Sequence, residues 1–268
     1  MAPQKTQAII LKISDFRESS GILYCLTPDH GLVHCIAKGI RRKKTGSPSM
    51  ERGFLVETML YCKPNREMHT LGDMDVVEYF PSIRKDLFKN IIRDIVFEVI
   101  IKTMSCDFPH PEVFRYCAEF FKAMDQSASQ ECFPDFLLKF FYEFCRLMGV
   151  APNIDNCVNC GHTLVNRNGG YLRLENGSMC CTECTLFETQ PQRFFVPGFV
   201  LELLRNTTHT PLCSVEAARL IPSETRRIIW LFAGYCQYHF HHATEFRSLS
   251  FLDSILPHSA PVVIYDHA

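Results

Sequence analysis

The period of the hydrophobic pattern changes once along the chain. Up to Phe80 the apolar residues fall in short runs with two-residue alternation, at 7–13, 21–27, 31–37, 54–62 and 69–80. In the third run Val33, Cys35 and Ala37 alternate with His34, Ile36 and Lys38, as in a strand with one buried face. Turn formers separate the runs, with Pro28, Asp29, His30 and Gly31 between the second and third. Beyond Pro81 the period becomes helical. Ile83, Leu87, Ile91, Ile95 and Val99 recur at every fourth position with Ile92, Val96 and Ile100 beside them. This predicts one amphipathic helix whose polar face carries Arg84, Lys85, Lys89, Arg93 and Lys102. Helical patterns follow at 109–124, 134–148 and 223–244. Phe120, Phe121, Phe133, Phe136, Phe140, Phe141 and Phe144 read as the core of that bundle.

The expected class is therefore α+β. Five strands without a long helix predict a small β-barrel over 1–80, and the helical remainder occupies 81–268. The commonest five-stranded barrel of this kind is the oligonucleotide-binding (OB) fold, whose face and loops hold single strands.

Between 153 and 190 the helical pattern is interrupted by four cysteines in two pairs, Cys157-Val-Asn-Cys160 and Cys181-Thr-Glu-Cys184. A CxxC turn presents two thiolates to one metal, and Zn²⁺ takes four in a tetrahedron at about 2.3 Å each. The intervening residues 161–180 are rich in turn formers, including Gly161, Gly169, Gly170, Asn176 and Gly177. That suits a small ribbon with a strand near 170–175 and a tight turn at Asn176-Gly177. Cys180 adjoins Cys181 and is the alternative third ligand, and His162 is a weaker substitute. Zinc is favoured over a disulfide or packed thiols. With four thiolates no coordination position stays open, so the ion should be structural, one per chain. No carboxylate completes a recognisable metal motif with His239, His241 and His242, which are read as helix-end histidines.

Composition narrows the setting. The 268 residues are 47% hydrophobic, enough for real cores, and the net charge is −1. No apolar run reaches the roughly 18 residues of a membrane span, and the first residues lack the apolar stretch of a signal peptide, so a cytoplasmic protein is expected, without a membrane partner. Of the fourteen cysteines, Cys25, Cys35, Cys117, Cys145 and Cys236 lie within apolar patterns and read as reduced, packed thiols.

The near-neutral total conceals a basic segment. Residues 38–66 hold eight basic and two acidic residues, a balance of +6, concentrated in Lys38, Arg41, Arg42, Lys43 and Lys44. On a barrel rim such a run suits phosphate contact, where each neutralised phosphate releases counterions. Tyr24, Phe54 and Tyr61 are the aromatics a base could stack on, although an aromatic in a barrel strand is more often core. A zinc deaminase or hydrolase would need an open metal position and a P-C-x-x-C run, and neither cysteine pair follows a Pro. A zinc-ribbon adaptor that binds only protein is the other reading.

The order of parts resembles the RecO family of bacterial recombination-repair proteins over nearly the whole chain. The resemblance is carried by Thr6-Gln-Ala-Ile-Ile-Leu-Lys, by Gly31-Leu-Val ahead of Ala37-Lys-Gly-Ile-Arg-Arg-Lys-Lys, and by Gly149 leading through Pro152 and Asp155 into Cys157-Val-Asn-Cys-Gly. The second cysteine pair and the closing Arg247-Ser-Leu-Ser-Phe-Leu complete it. The resemblance implies an N-terminal OB domain and a helical C-terminal domain with an inserted zinc module. It also implies binding of single- and double-stranded DNA, annealing of complementary strands, contact with single-strand-binding protein, and cooperation with RecR to load RecA in the RecF pathway, without enzymatic activity.

Overall fold

β1 (Gln4–Phe16) is thirteen residues long because it serves two neighbours. Its first half pairs antiparallel with β4 (Leu55–Tyr61), from Gln4 opposite Leu60 to Ile9 opposite Leu55. Its second half pairs with β2 (Ser20–Thr27), ending at Phe16 opposite Ser20, with a bulge between Ile10 and Lys12 where the strand changes partner. β3 (Gly31–Ala37) extends the meander from β2, and β5 (His69–Glu78) pairs antiparallel with β4. A parallel join of β3 to β5, through Cys35–His69, Ile36–Thr70 and Ala37–Leu71, closes the barrel in the order β1-β2-β3-β5-β4. This computed structural model describes residues 3–40, 49–62, 66–127, 133–165, 168–186, 193–206, 222–240 and 245–255.

Alternation fixes the barrel's interior. Ala8, Ile10, Leu23, Cys25, Val33, Cys35, Phe54, Val56, Leu60 and Leu71 are buried together. Burial pushes the Cys25 thiol up to about 12 and raises Cys35 as well, so both are packed and inert. Phe54 is thereby removed from the aromatics a base could reach, at 1% exposure. The β2–β3 turn needs Gly31 at φ +63°, because a Cβ there would run into the carbonyl of Phe108.

By contacts the chain divides into two units, Met1–Gln126 and Ser127–Ala268. The first adds three helices to the barrel. The single helix expected from Ile83 is broken into α1 (Pro81–Lys85) and α2 (Leu87–Thr103). The reason is Asp86, whose backbone turns extended and whose side chain accepts from the Lys89 amide at 3.0 Å, capping α2. Arg93 also departs from the expected polar face. It is buried, its guanidinium pairs with Asp94 at 2.9 Å, and Asp94 is shared with Arg52 at 3.0 Å. Gly53, at φ +91°, makes room for it, since a Cβ there would lie 3.1 Å from Arg93 Cδ. α3 (Pro111–Gln126) brings Phe120 and Phe121 against each other, and Phe121 also meets Phe80 and Phe97.

The second unit holds α4 (Phe133–Leu147), β6 (Gly169–Arg173), β7 (Met179–Cys180), α5 (Thr182–Thr185), β8 (Arg193–Pro197), α6 (Gly198–Arg205), α7 (Pro222–His239) and α8 (Arg247–Ile255). The strands form an antiparallel sheet, β7-β6-β8. α4 packs on α7, where Phe144 meets Phe240 and the sulfurs of Cys145 and Cys236 lie 3.3 Å apart. Of the aromatic run, Phe120 and Phe121 lie in the first unit and Phe136, Phe140, Phe141 and Phe144 in the second. α4 also buries a row of charges at helical spacing, Asp135, Lys139 and Glu143.

Candidate functional site

The first cysteine pair sits on a knuckle of backbone hydrogen bonds. The Cys157 amide donates to the His162 carbonyl at 2.9 Å, and the Gly161 amide returns to the Cys157 carbonyl at 2.9 Å. Gly161 takes φ +72°, the left-handed turn that lets the chain reverse after Cys160. The Val158 amide donates to the Met179 carbonyl, tying the knuckle to β7. The second pair is placed differently: Cys181 precedes α5 as its N-cap and Cys184 lies one helical turn on. Thr185 fixes that turn, with both its amide and its hydroxyl donating to the Cys181 carbonyl.

These two devices bring the sulfurs of Cys157, Cys160, Cys181 and Cys184 within 4.8 Å of one another. A ZnS₄ tetrahedron with bonds of about 2.3 Å has edges of about 3.8 Å. Cys160 and Cys181 stand 3.8 Å apart, so the donor set fits a tetrahedral divalent ion and can hold a metal. Cys180 is outside this group. It occupies β7 opposite Tyr171, and its sulfur receives the Asn159 side-chain amide at 3.5 Å. The His162 side chain is exposed; only its carbonyl takes part in the knuckle.

Burial raises the Cys157 thiol, but backbone amides of Cys181, Cys160 and Asn159 directed at its sulfur outweigh this and bring it down to about 6. The Cys181 amide is 3.3 Å away. Cys184 is raised by its hydrogen bonds as a thiol to Cys160 and Cys181. One thiolate is thus prepared by the backbone, while the group as a whole needs a cation to ionise fully. His239, by contrast, donates to the Leu174 carbonyl at 2.9 Å; His241 and His242 lie outside the described residues.

On the barrel, Lys38 is exposed just beyond β3, while Arg41, Arg42, Lys43 and Lys44 fall outside the described residues. A cavity of about 490 Å³ opens beside Lys38, lined by Phe16, Arg17, Ser20 and Ile36 among others. The Arg17 guanidinium is 5.2 Å from the centre of the Phe16 ring. Further along the same outer surface the Tyr24 and His34 rings lie 4.0 Å apart, with the Lys12 ammonium 5.3 Å from the Tyr24 ring. Burial lowers His34 below its usual value, against the opposing pull of Asp107 and Glu67, which leaves the ring neutral at pH 7. Reading the chain alone left Lys12, Phe16, Arg17 and His34 unassigned. The signal was present in the alternation, which puts Lys12, Tyr24 and His34 in one row opposite the buried set.

Two family models, described as recombination protein O N terminal and recombination protein O C terminal, match residues 1–80 and 84–248. The chain belongs to the RecO family. A DNA repair protein RecO from Prosthecochloris aestuarii is 24% identical over 267 residues, covering 94% of this chain and 98% of that protein. One from a Thermoanaerobacter species is 24% identical over 94% of this chain and 97% of its own length. The RecO of Rubrobacter xylanophilus is 26% identical, covering 85% and 90%. The change from strand to helix period near Phe80 falls where the two RecO family models meet.

Proposed function

We propose that this chain is a recombination mediator that binds single- and double-stranded DNA, anneals complementary strands, and helps load RecA in the RecF pathway together with RecR and single-strand-binding protein. The observation that carries the reading is a closed five-stranded barrel with an exposed Lys38 at the start of a basic run, Arg41 to Lys44, in a RecO chain. Lysines and arginines on such an edge neutralise two phosphate backbones at once, so strands approach while their bases pair. No bond is made or broken, and the mediator is not an enzyme. Among the described residues no helix is long and apolar enough to cross a membrane, which accords with work on DNA in the cytoplasm.

The four cysteines hold one zinc ion, which supplies folding free energy to the ribbon around β6 and β7 and no reactive position. The test is strand annealing with complementary oligonucleotides, with and without single-strand-binding protein. Annealing faster than the spontaneous rate in both conditions is expected. No acceleration at any salt concentration, in a protein that carries its metal, refutes the mediator.

A further inference from the structure

Where β3 meets β5, the first unit gathers side chains that ligate metals. His34 stands on β3, Cys62 just after β4, Glu67 and His69 at the approach to β5, and Cys106 and Asp107 between α2 and α3. Cys106 bridges Leu32 in parallel, and the Asp107 amide donates to the Leu32 carbonyl at 2.9 Å, so this connection is laid along the start of β3. Cys106 is thereby set beside His34, with its sulfur 3.5 Å from His34 Nε2. The Tyr24 ring, centred 4.0 Å from that of His34, holds the imidazole in place. In a tetrahedral zinc shell, a thiolate at about 2.3 Å and an imidazole nitrogen at about 2.0–2.1 Å stand about 3.5–3.6 Å apart. The pair already has that separation. It shares one proton as a hydrogen bond, and with that proton gone both atoms are ligands. The surroundings are anionic: partial burial raises the Cys106 thiol, and the charges of Asp107 and Glu67 raise it further, while the same charges favour a cation beside it. Asp107 is itself steadied by His69 Nε2, 2.7 Å from its Oδ1. Cys62 is engaged by His30 instead, at 3.7 Å.

We infer that Cys106 and His34 are the nucleus of a second cation site, for a thiol-binding divalent ion of the zinc class. Among the described residues the four cysteines are the one group of three or more donors already assembled. At this second place two donors are set, the exposed Glu67 carboxylate turns in as the third, and water completes the shell. Binding releases the thiol proton. The ion ties β3 to the α2–α3 connection and to the approach to β5, and so braces a join that only three residue pairs hold. Three protein ligands, one of them swung in from solvent, hold an ion less tightly than four preset thiolates. This ion therefore exchanges with the medium while the first stays.

The test uses the full-length protein carrying its first zinc ion, titrated with zinc against a chromogenic chelator and, separately, with cobalt as an optical probe. The parent should take up one further ion per chain, and the cobalt form should show thiolate charge-transfer absorption. Cys106→Ala and His34→Gln should each lose this second equivalent and keep the first. Glu67→Gln should weaken it by at least about tenfold, and Cys62→Ala should keep both ions. The second ion should raise the thermal midpoint of the parent and leave that of Cys106→Ala unchanged. Cys106 is exposed, so its variant is expected to fold, and a far-ultraviolet circular dichroism spectrum matching the parent's establishes that it has. The inference is overturned if the parent stops at one ion, if folded Cys106→Ala or His34→Gln retains the second equivalent, or if that equivalent binds without thiolate absorption.

Discussion

Gly177 and Tyr235 form a contact that decides whether the ribbon can seat its second cysteine pair, and its energy can be worked out. Gly177 sits at φ +65° before β7, and a Cβ there would collide with the Tyr235 hydroxyl and approach Pro152 Cα to 3.1 Å. That hydroxyl is engaged, donating to the Val150 carbonyl at 2.7 Å from a ring that is 1% exposed. Gly177→Ala therefore carries the left-handed penalty, about 1–2 kcal/mol, together with displacement of a buried hydrogen bond worth about 1 kcal/mol or more. About 3 kcal/mol in all is expected. Tyr235→Phe alone loses the same bond and should cost about 1–2 kcal/mol. In the Tyr235→Phe background the hydroxyl is gone, and the next ring atom, Cζ, stands at 3.3 Å, a contact that a small shift relieves. Gly177→Ala should then keep its backbone penalty and the tight approach to Pro152 Cα but no longer displace the hydrogen bond, so the double variant should be about 1–2 kcal/mol more stable than the sum of the singles implies. The readout is urea unfolding of the zinc-loaded protein followed by Trp230, the single tryptophan, which lies on the same helix as Tyr235. Additivity within about 0.5 kcal/mol would mean that the two groups do not touch and that the placement of α7 beside this turn is wrong.

Cys157→Ser and Cys184→Ser should each lose the metal and unfold the ribbon, while Cys180→Ser retains one ion per chain; metal analysis of the purified variants decides. Replacing Arg41, Arg42, Lys43 and Lys44 together by glutamine should flatten the logarithmic salt slope for single strands by roughly 3, at about 0.7 per phosphate contact, and an unchanged slope removes that run from the DNA site. Lys139→Ala removes the buried cation one helical turn from both Asp135 and Glu143, of which Glu143 keeps Arg146 Nε at 2.7 Å. A loss of about 3 kcal/mol is expected by denaturant unfolding, chiefly from Asp135, and a loss under about 1 kcal/mol would show that Asp135 does not depend on Lys139.

The barrel was legible because its strands alternate cleanly. The run at 31–37 matches β3 to the residue and the run at 21–27 misses only Ser20 of β2, while the first run was read short at both ends, since β1 extends from Gln4 to Phe16. The break at Asp86 was hidden by an unbroken i+4 series of apolar residues on either side of it. The signal against a continuous helix was a single capping residue, which periodicity does not weigh. Arg93 escaped for a different reason: its burial depends on Gly53, forty residues away, and on sharing Asp94 with Arg52. The cysteine group was readable from spacing, since two CxxC turns constrain their own geometry and only Cys181, not the alternative Cys180, makes such a turn with Cys184. The outer barrel face was missed because its residues are individually ordinary; only the register of three strands shows that they stand in rows.

The barrel's five joins are unequal. Four are antiparallel ladders of six or seven paired residues, and the parallel one between β3 and β5 has three. The β1–β4 join spans a longer stretch of chain, from Ile9 to Leu55, but six pairs hold it. With the fewest ladder pairs, the β3–β5 seam is the first to part when the cylinder breathes. The seam ends at Ala37, next to Lys38, so the edge that carries this lysine is also where the cylinder can widen without disturbing the ladders that hold the rest of its wall.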